Sequence, residues 1–381
     1  MSHSKNRKRD PLKILEAAYE RAKACGNSPA IKNADISNAV KLISTNAQNR
    51  ACIRLLLSCL LAKVHKPSID IRKPYTEIKD KDVFSGRFYD EKYVEGFIIK
   101  HGLPCNPTTA FLTPALRNRN IILTPDLELE GRPKALYKIT LNLLNEVHNK
   151  KIDAEDLLTE AFRNLIKFGK QRKGGLESLL EELESQSTGM PLSSERIITL
   201  IQQHLQCPRS SRLPVLVIAA AYTAAEKYLQ EKLVPLKAHT SADSQTGALG
   251  DLEITLIDDK DVVTSYEMKM KKVTETDIDR AISKISKSDT RVDNYIFITT
   301  ETIDYDISEY AKTMYEKSGG IEIVILDCIG FLRHFLHLFH RLRMNFLDAY
   351  QELLLKEPES SVKHELKEAF LALRKAAESN S

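Results

Sequence analysis

The chain has 381 residues, 42% of them hydrophobic and 28% charged, with a formal net charge of +4. This is enough apolar content for a substantial core and enough length for two domains, while the net charge is too small to identify a nucleic-acid partner, because phosphate affinity follows clustering rather than totals. The longest apolar runs, from Ala51 and from Leu213, are too short or too interrupted by Arg54 to span a bilayer, and the basic MSHSKNRKRD lacks the apolar stretch of a secretory signal.

The expectation is therefore a cytoplasmic protein without membrane association. Six scattered cysteines with no C-x-x-C pair read as buried, reduced thiols rather than as zinc ligands. No G-x-x-x-x-G-K-[ST] loop and no G-x-S-x-G elbow is present, so ATP-driven and serine-hydrolase chemistry have no support.

From Asp10 to about Phe168, apolar residues recur at helical spacing in PLKILEAAYERAK, NRACIRLLLSCLLAKV and LYKITLNLLNEV. Between the second and third of these, the segment from His65 to Arg132 is rich in Pro, Asn, Thr, Arg and aromatic residues. Prolines 67, 74, 104, 107 and 114 break long helices there, which predicts structured loops framed by helices, a place where recognition is often carried. From Gly169 to Ser194 the composition passes from basic and Gly-rich through a short acidic helix to Ser, Gly and Pro. A domain boundary is expected here, separating a helical, loop-rich domain over 10–170 from a second domain over 190–381.

Basic clusters at Lys5, Arg7, Lys8 and Arg9, at Lys167, Lys170, Arg172 and Lys173, and at Lys269, Lys271 and Lys272 fit either a solvated surface or phosphate contact. After Ser194 the periodicity changes. A helix is predicted from about Val215 to Val234, stopped by Pro235. GDLEITLID and VVTSYEMKMK then read as adjacent strands turning through Asp258, Asp259 and Lys260. A helix over about Glu275–Lys287, the strand NYIFITT, a helix near Ile307–Tyr315, a turn at Gly319 and Gly320, the strand IEIVILD and a long helical C-terminal region follow. This order predicts an α/β (α+β mixed) fold, with a mixed sheet flanked by helices and a largely helical N-terminal domain.

The chemistry-bearing residues fall on the two adjacent strands. Side chains alternate faces along a strand, so Asp251, Glu253 and Thr255 share one face and Leu252, Ile254 and Leu256 the other. On the next strand Glu267, Lys269 and Lys271 oppose Tyr266, Met268 and Met270. Paired with apolar faces together, the strands bring Asp251 and Glu267 around one cation with Lys269 beside it. Mg²⁺ takes such oxygen ligands and keeps several waters, and phosphodiester hydrolysis needs such an ion together with a group that delivers water in line. The competing reading is a solvated hairpin face whose charges pair with one another.

E-x-K alone is unspecific: Glu77-Ile78-Lys79 and Glu365-Leu366-Lys367 match it too, and Pro125-Asp126 with Glu128 and Glu130 has no E-x-K at hairpin distance. Glu226 is a further acidic candidate, its alanine neighbours permitting close helix-to-sheet packing; a surface glutamate is the alternative. His334, His337 and His340, spaced by three, spread around a helix and read as packing or surface residues.

The hairpin resembles the PD-(D/E)xK nuclease superfamily, with Asp251 as the first acid, Glu267-Met268-Lys269 as the second half, and Gly250 where the namesake proline would stand. KILEAAYERAK, NAQNRACIRLLLSCLLAKVHKPSIDIRKPYTEI, FSGRFYDE, LPCNPTTAFLTPALRNRN and GRPKALY, with TGALGDLEITL and YEMKMK, resemble the SacI family of type II restriction endonucleases from residue 11 to about 270. The resemblance implies a restriction-endonuclease-like core over 190–381 and a Mg²⁺-dependent homodimer cutting both strands of a short DNA palindrome. The family's namesake target is GAGCTC.

It further implies that Asp251 and Glu267 bind the metal, that Lys269 orients or activates the attacking water, that Glu253 and Glu226 are second-tier acids, and that a cognate DNA methyltransferase acts in the same system. Arg72, Lys73, Arg87, Arg117, Asn118, Arg119 and Asn120, in the loop-rich part of 10–170, have the donors and acceptors for reading base edges. Asn118 and Asn120 as turn caps, and Arg72 as the partner of an internal carboxylate, are the alternatives. A non-specific or repair nuclease of the same fold, and a non-catalytic DNA-binding protein, are the rival functions.

Overall fold

The structure, a computed structural model, describes residues 10–46, 50–106, 108–117, 120–186, 190–236, 249–258, 262–288 and 290–379. Two compact units are formed, residues 1–174 and 175–381.

The first unit is built around α3 (Ala51–His65), whose residues from Ala51 to Ala62 are all buried. A helix apolar on every side must be wrapped on every side, and α1 (Pro11–Cys25), α2 (Ala34–Thr45) and α6 (Lys134–His148) supply that wrapping. Arg54 lies in the middle of this helix, 1% exposed, and its guanidinium meets Asp90, which is equally buried, at 2.9 Å. Ser58 donates to the same carboxylate at 3.0 Å. Pairing and hydrogen bonding let both charges stay in the core.

Asp90 opens a π-helical turn, Asp90–Val94, between the short helices α4 (Gly86–Tyr89) and α5 (Glu95–Lys100). Among the described residues, the rest of 66–133 is irregular apart from two short 3-10 turns, as the prolines imply.

Helix α7 spans Ala154–Gln186 without interruption, through Gly174 and Gly175. The change of composition there, expected to separate a basic stretch from a short acidic helix, does not break the backbone. Glycine weakens a helix without forbidding it.

In the second unit a five-stranded sheet runs in the order β1 (Glu231–Leu233), β2 (Leu252–Leu256), β3 (Val262–Lys269), β4 (Asn294–Thr299), β5 (Glu322–Asp327). The first three pair antiparallel and the last three parallel, giving the mixed sheet that the element order implies. On one face Leu252, Ile254, Tyr266, Ile296 and Ile298 pack under α8 (Ser194–Leu205), α9 (Leu213–Leu229), α12 (Cys328–Leu338), α13 (Arg343–Lys356) and α14 (His364–Ser379). On the other, Tyr295, Phe297 and Ile323 pack under the crossover helices α10 (Glu275–Ile285) and α11 (Tyr305–Lys317). The expected turn at Gly319 and Gly320 is present, both residues with positive φ.

The helix expected to run to Val234 ends earlier. Gln230 adopts the left-handed conformation, φ 58°, and the chain turns into β1, which pairs with β2 from Glu231↔Leu256 to Leu233↔Ile254. A three-residue edge strand is made by its partner's backbone groups rather than by its own propensity. Asp259 and Lys260 of the expected hairpin turn, and Lys5, Arg7, Lys8 and Arg9, lie outside the described residues. The described helices include none long and apolar enough to cross a membrane. All six cysteines are unpaired.

A histidine under α14 ties the helical layer together. His204 is fully buried, its Nε2 2.9 Å from the Leu366 carbonyl and its Nδ1 2.9 Å from the Tyr350 hydroxyl. A carbonyl only accepts, so Nε2 carries the proton and Nδ1 accepts from Tyr350. Burial pushes the His204 pKa down to about 4. The unfolded imidazole protonates near 6.5, so the unfolded chain takes up its proton first. Stability is therefore complete above about pH 6.5 and falls by up to about 3 kcal/mol as pH drops toward 4. Denaturant titrations from pH 4 to 7 should show this loss in the wild type and a flatter acid limb in His204→Gln. Superimposable limbs would refute it.

Candidate active site

β3 is hydrogen-bonded on both sides, to β2 and to β4. The register Leu252↔Tyr266 and Glu253↔Ser265, continued one residue outward, sets Asp251 opposite Glu267. Opposed residues of an antiparallel pair share a face, so Asp251, Glu253, Glu267 and Lys269 lie on the face that carries Tyr295, while Leu252, Ile254 and Tyr266 lie in the apolar layer beneath α9.

Two hydrogen bonds hold Asp251 to this register. Its N–H donates to the Tyr266 carbonyl at 2.7 Å, and its Oδ2 accepts from the Met268 N–H at 2.8 Å. The residue thus straddles Glu267. Gly250 makes this approach possible, because a Cβ there would stand 2.4 Å from the Tyr266 carbonyl oxygen and 2.5 Å from Ser265 Oγ. Glu253, 8% exposed, accepts from the Leu249 N–H at 2.9 Å and pins the segment leading into β2.

Glu267 is three-quarters covered. Its Oε1 lies 3.1 Å from the Lys269 ammonium, and its Oε2 lies 3.2 Å from the Tyr295 hydroxyl. That hydroxyl also lies 3.0 Å from the Leu249 carbonyl, so one proton is shared between two acceptors. Lys269 meets a second carboxylate, Asp277 Oδ1, at 3.3 Å. Burial pulls the Lys269 pKa down, but Glu267 and Asp277 outweigh it and the net direction is up. Burial pushes Asp277 up, and its bonds to Thr274 and its pairing with Lys269 bring it below the usual carboxylate value.

Two carboxylates, Glu267 and Asp277, thus stand against one ammonium, with Asp251 opposite Glu267 in the strand register, and an excess of negative charge on such a face is what a divalent cation neutralises. The donor atoms are carboxylate oxygens without sulfur or imidazole, a set that fits Mg²⁺. No group of three or more His, Cys, Asp or Glu side chains that could hold a metal ion by themselves occurs among the described residues.

The expected residues do not all meet. Asp251, Glu267 and Lys269 are brought together, with Glu253 beside them as a brace. Glu226 is not: it is exposed on α9, and α9 covers the opposite face of the sheet, where the Tyr222 and Tyr266 hydroxyls meet at 2.7 Å. Asp277 and Tyr295 are the neighbours that pattern reading passed over. Asp277 had a signal, since Thr274-Glu275-Thr276-Asp277 before an apolar periodic run is a helix-capping signature. Tyr295 had none beyond its place in a buried strand.

In the first unit Arg72 is engaged internally, with Nη2 2.9 Å from Asp70 Oδ2 and Nη1 3.1 Å from Asn145 Oδ1. Lys73 binds Asp80 and Asp82, and the exposed Arg87 pairs with Glu91. Arg117 and Asn120 are exposed; Asn118 and Arg119 lie outside the described residues. His334, His337 and His340 are exposed, and His337 pairs with Glu195 rather than gathering a metal.

Gly250→Ala is expected to force β2 from β3, costing about 1–3 kcal/mol. The Asp251 and Met268 amides should exchange with solvent faster than in the wild type. Unchanged melting temperature and exchange would show that the strand edge yields.

Residues 190–301 match the family model of the SacI restriction endonuclease C-terminal domain. The match takes in α8 to α10, β1 to β4, and Asp251, Glu267, Lys269 and Asp277. Among curated proteins, none matched the chain. Through this segment, the sheet and the paired strands that it builds, residues 190–301 are similar to the C-terminal domain of the SacI restriction endonuclease family.

Proposed function

We propose that the protein is a Mg²⁺-dependent type II endonuclease that cuts both strands of DNA at a short palindrome, working as a homodimer alongside a methyltransferase that protects the same site. The observation that supports this most directly is the meeting of Asp251, Glu267 and Lys269 on one face of β2 and β3 within the matched segment. GAGCTC, the target associated with the family name, is the first sequence to test.

Asp251 and Glu267 would hold the metal. Bound there, Mg²⁺ would neutralise the charge that builds on the phosphate during in-line attack. Lys269, its pKa raised by two carboxylates, stays an ammonium at neutral pH. It therefore acts as a donor, orienting the attacking water or a phosphate oxygen, rather than as a base. Glu253 keeps Asp251 in place through the Leu249 amide. Reading of base edges is assigned to the loop-rich part of the first unit, where Arg117 and Asn120 are exposed and Arg87 needs to exchange only a surface ion pair.

Phage DNA incubated with the protein should yield discrete fragments with Mg²⁺ and none with EDTA. Asp251→Ala should lower cleavage by at least about a hundredfold while DNA binding persists. Heterogeneous ends would favour a non-specific nuclease, and binding without cleavage a regulatory protein. Undiminished cutting by Asp251→Ala would refute the site.

Arg117→Ala should weaken DNA binding and lower its dependence on log salt by about 1. Arg72→Ala should instead cost about 1–3 kcal/mol of stability, because it removes the guanidinium from the buried Asp70 carboxylate and leaves it with His148 and a backbone amide. Equal effects of the two variants on binding and on melting would contradict this division.

A further inference from the structure

We propose that Asp277, at the start of α10, is the positioning residue that sets where the Lys269 ammonium stands, an assignment that rests on the nuclease reading of the site. Asp277 is 7% exposed and each of its oxygens has a separate partner. Oδ2 accepts from the Thr274 N–H at 3.1 Å and from Thr274 Oγ1 at 2.8 Å, while the Asp277 N–H donates back to Thr274 Oγ1 at 3.3 Å. This capping box fixes the carboxylate on the first turn of a helix that is itself packed on the sheet. Oδ1 is left pointing at Lys269, 3.3 Å away.

Lys269 is thus held from two directions. Glu267 lies two residues before it on the same strand, and Asp277 reaches it from a different element. The two partners are not equivalent. Glu267 is also a proposed metal ligand, so its charge is shared once the site is loaded, whereas Asp277 has its other oxygen committed to a cap and nothing to move toward. A flexible lysine stem needs such a fixed partner, because misplacing a reacting group by about 1 Å costs about a hundredfold in rate. Capping alone does not call for an ionised side chain, since a neutral Gln serves at this position of a capping box. The charge is accounted for by Lys269.

Asp277→Asn keeps an oxygen for the cap and removes the charge, and Asp277→Glu keeps both in a longer side chain. Thr274→Ala removes the cap and leaves the carboxylate. In metal-free protein, peptide mass spectrometry after treatment with an amine-acylating reagent should show Lys269 labelled several-fold faster in Asp277→Asn than in the wild type, with both proteins folded by melting temperature. With Mg²⁺ and cleavable DNA, Asp277→Asn should lose about 10- to 100-fold in kcat at unchanged KM. Asp277→Glu should recover most of it, and Thr274→Ala should lose melting temperature more than kcat.

Wild-type labelling of Lys269 in Asp277→Asn would overturn the proposal. So would a loss of kcat in Thr274→Ala as large as that in Asp277→Asn, since Asp277 would then serve the helix alone. Absence of any cleavage by the wild type would count against the nuclease reading instead, and the labelling result would still decide whether Asp277 holds Lys269.

Discussion

The hydrogen bonds by which Asp251 grips β3, from its amide to Tyr266 and from the Met268 amide to its carboxylate, are the constraint on which the site depends. They set β2 against β3 so that acids and lysine share one face and Leu252, Ile254 and Tyr266 enter the core. A slip of one residue would turn every acid toward α9 and every apolar side chain toward the site, so burial of one face guards the register. Gly250 belongs to the same constraint. The backbone approaches Tyr266 too closely for any side chain, which accounts physically for glycine at this position.

Two kinds of charge burial are visible in the molecule. In the first unit Arg54 with Asp90, and Glu160 with Arg163, are pairs in which each charge has an opposite partner at hydrogen-bonding distance. Glu160 also accepts from the Ala30 amide and from Ser37. Such sites are closed, with their carboxylates satisfied from within. The face around Glu267 is different, with two carboxylates, Glu267 and Asp277, on a single ammonium and Asp251 opposite Glu267 in the register. A fold tolerates that imbalance where an ion or a substrate corrects it.

The look-alike motifs show what made the site legible. Glu77 lies within a three-residue 3-10 turn, Thr76–Ile78, Lys79 follows it, and both are exposed. Glu365 and Lys367 lie on α14, where residues two apart point in different directions, and the Lys367 ammonium donates to the Leu355 and Glu357 carbonyls. Only on a strand does E-x-K place acid and lysine on the same side. The alternation of GDLEITL and YEMKMK carried that information, which is why Asp251, Glu267 and Lys269 could be assigned to one face of two paired strands before any coordinates. Glu226 was misplaced for the complementary reason: small neighbours on a helix indicate close packing without indicating which face of the sheet receives the helix.

What the sequence determined by itself was local. Period-two alternation marked β2 and β3, apolar periodicity marked most helices, the prolines marked the irregular segment between α3 and α6, and the spacing of acid, acid and lysine marked the shared polar face of β2 and β3. What only the tertiary structure decided were relations between segments distant in the chain. The edge strand β1 exists because β2 offers it a backbone ladder. Arg54 is tolerated because Asp90 comes to meet it, and Arg72 is engaged by Asn145 of α6. Lys269 is bracketed by Asp277 because the crossover from β3 returns α10 to the site's own face. Each is a pairing of groups whose partner lies on another element or across a turn, and a period within one segment cannot encode it.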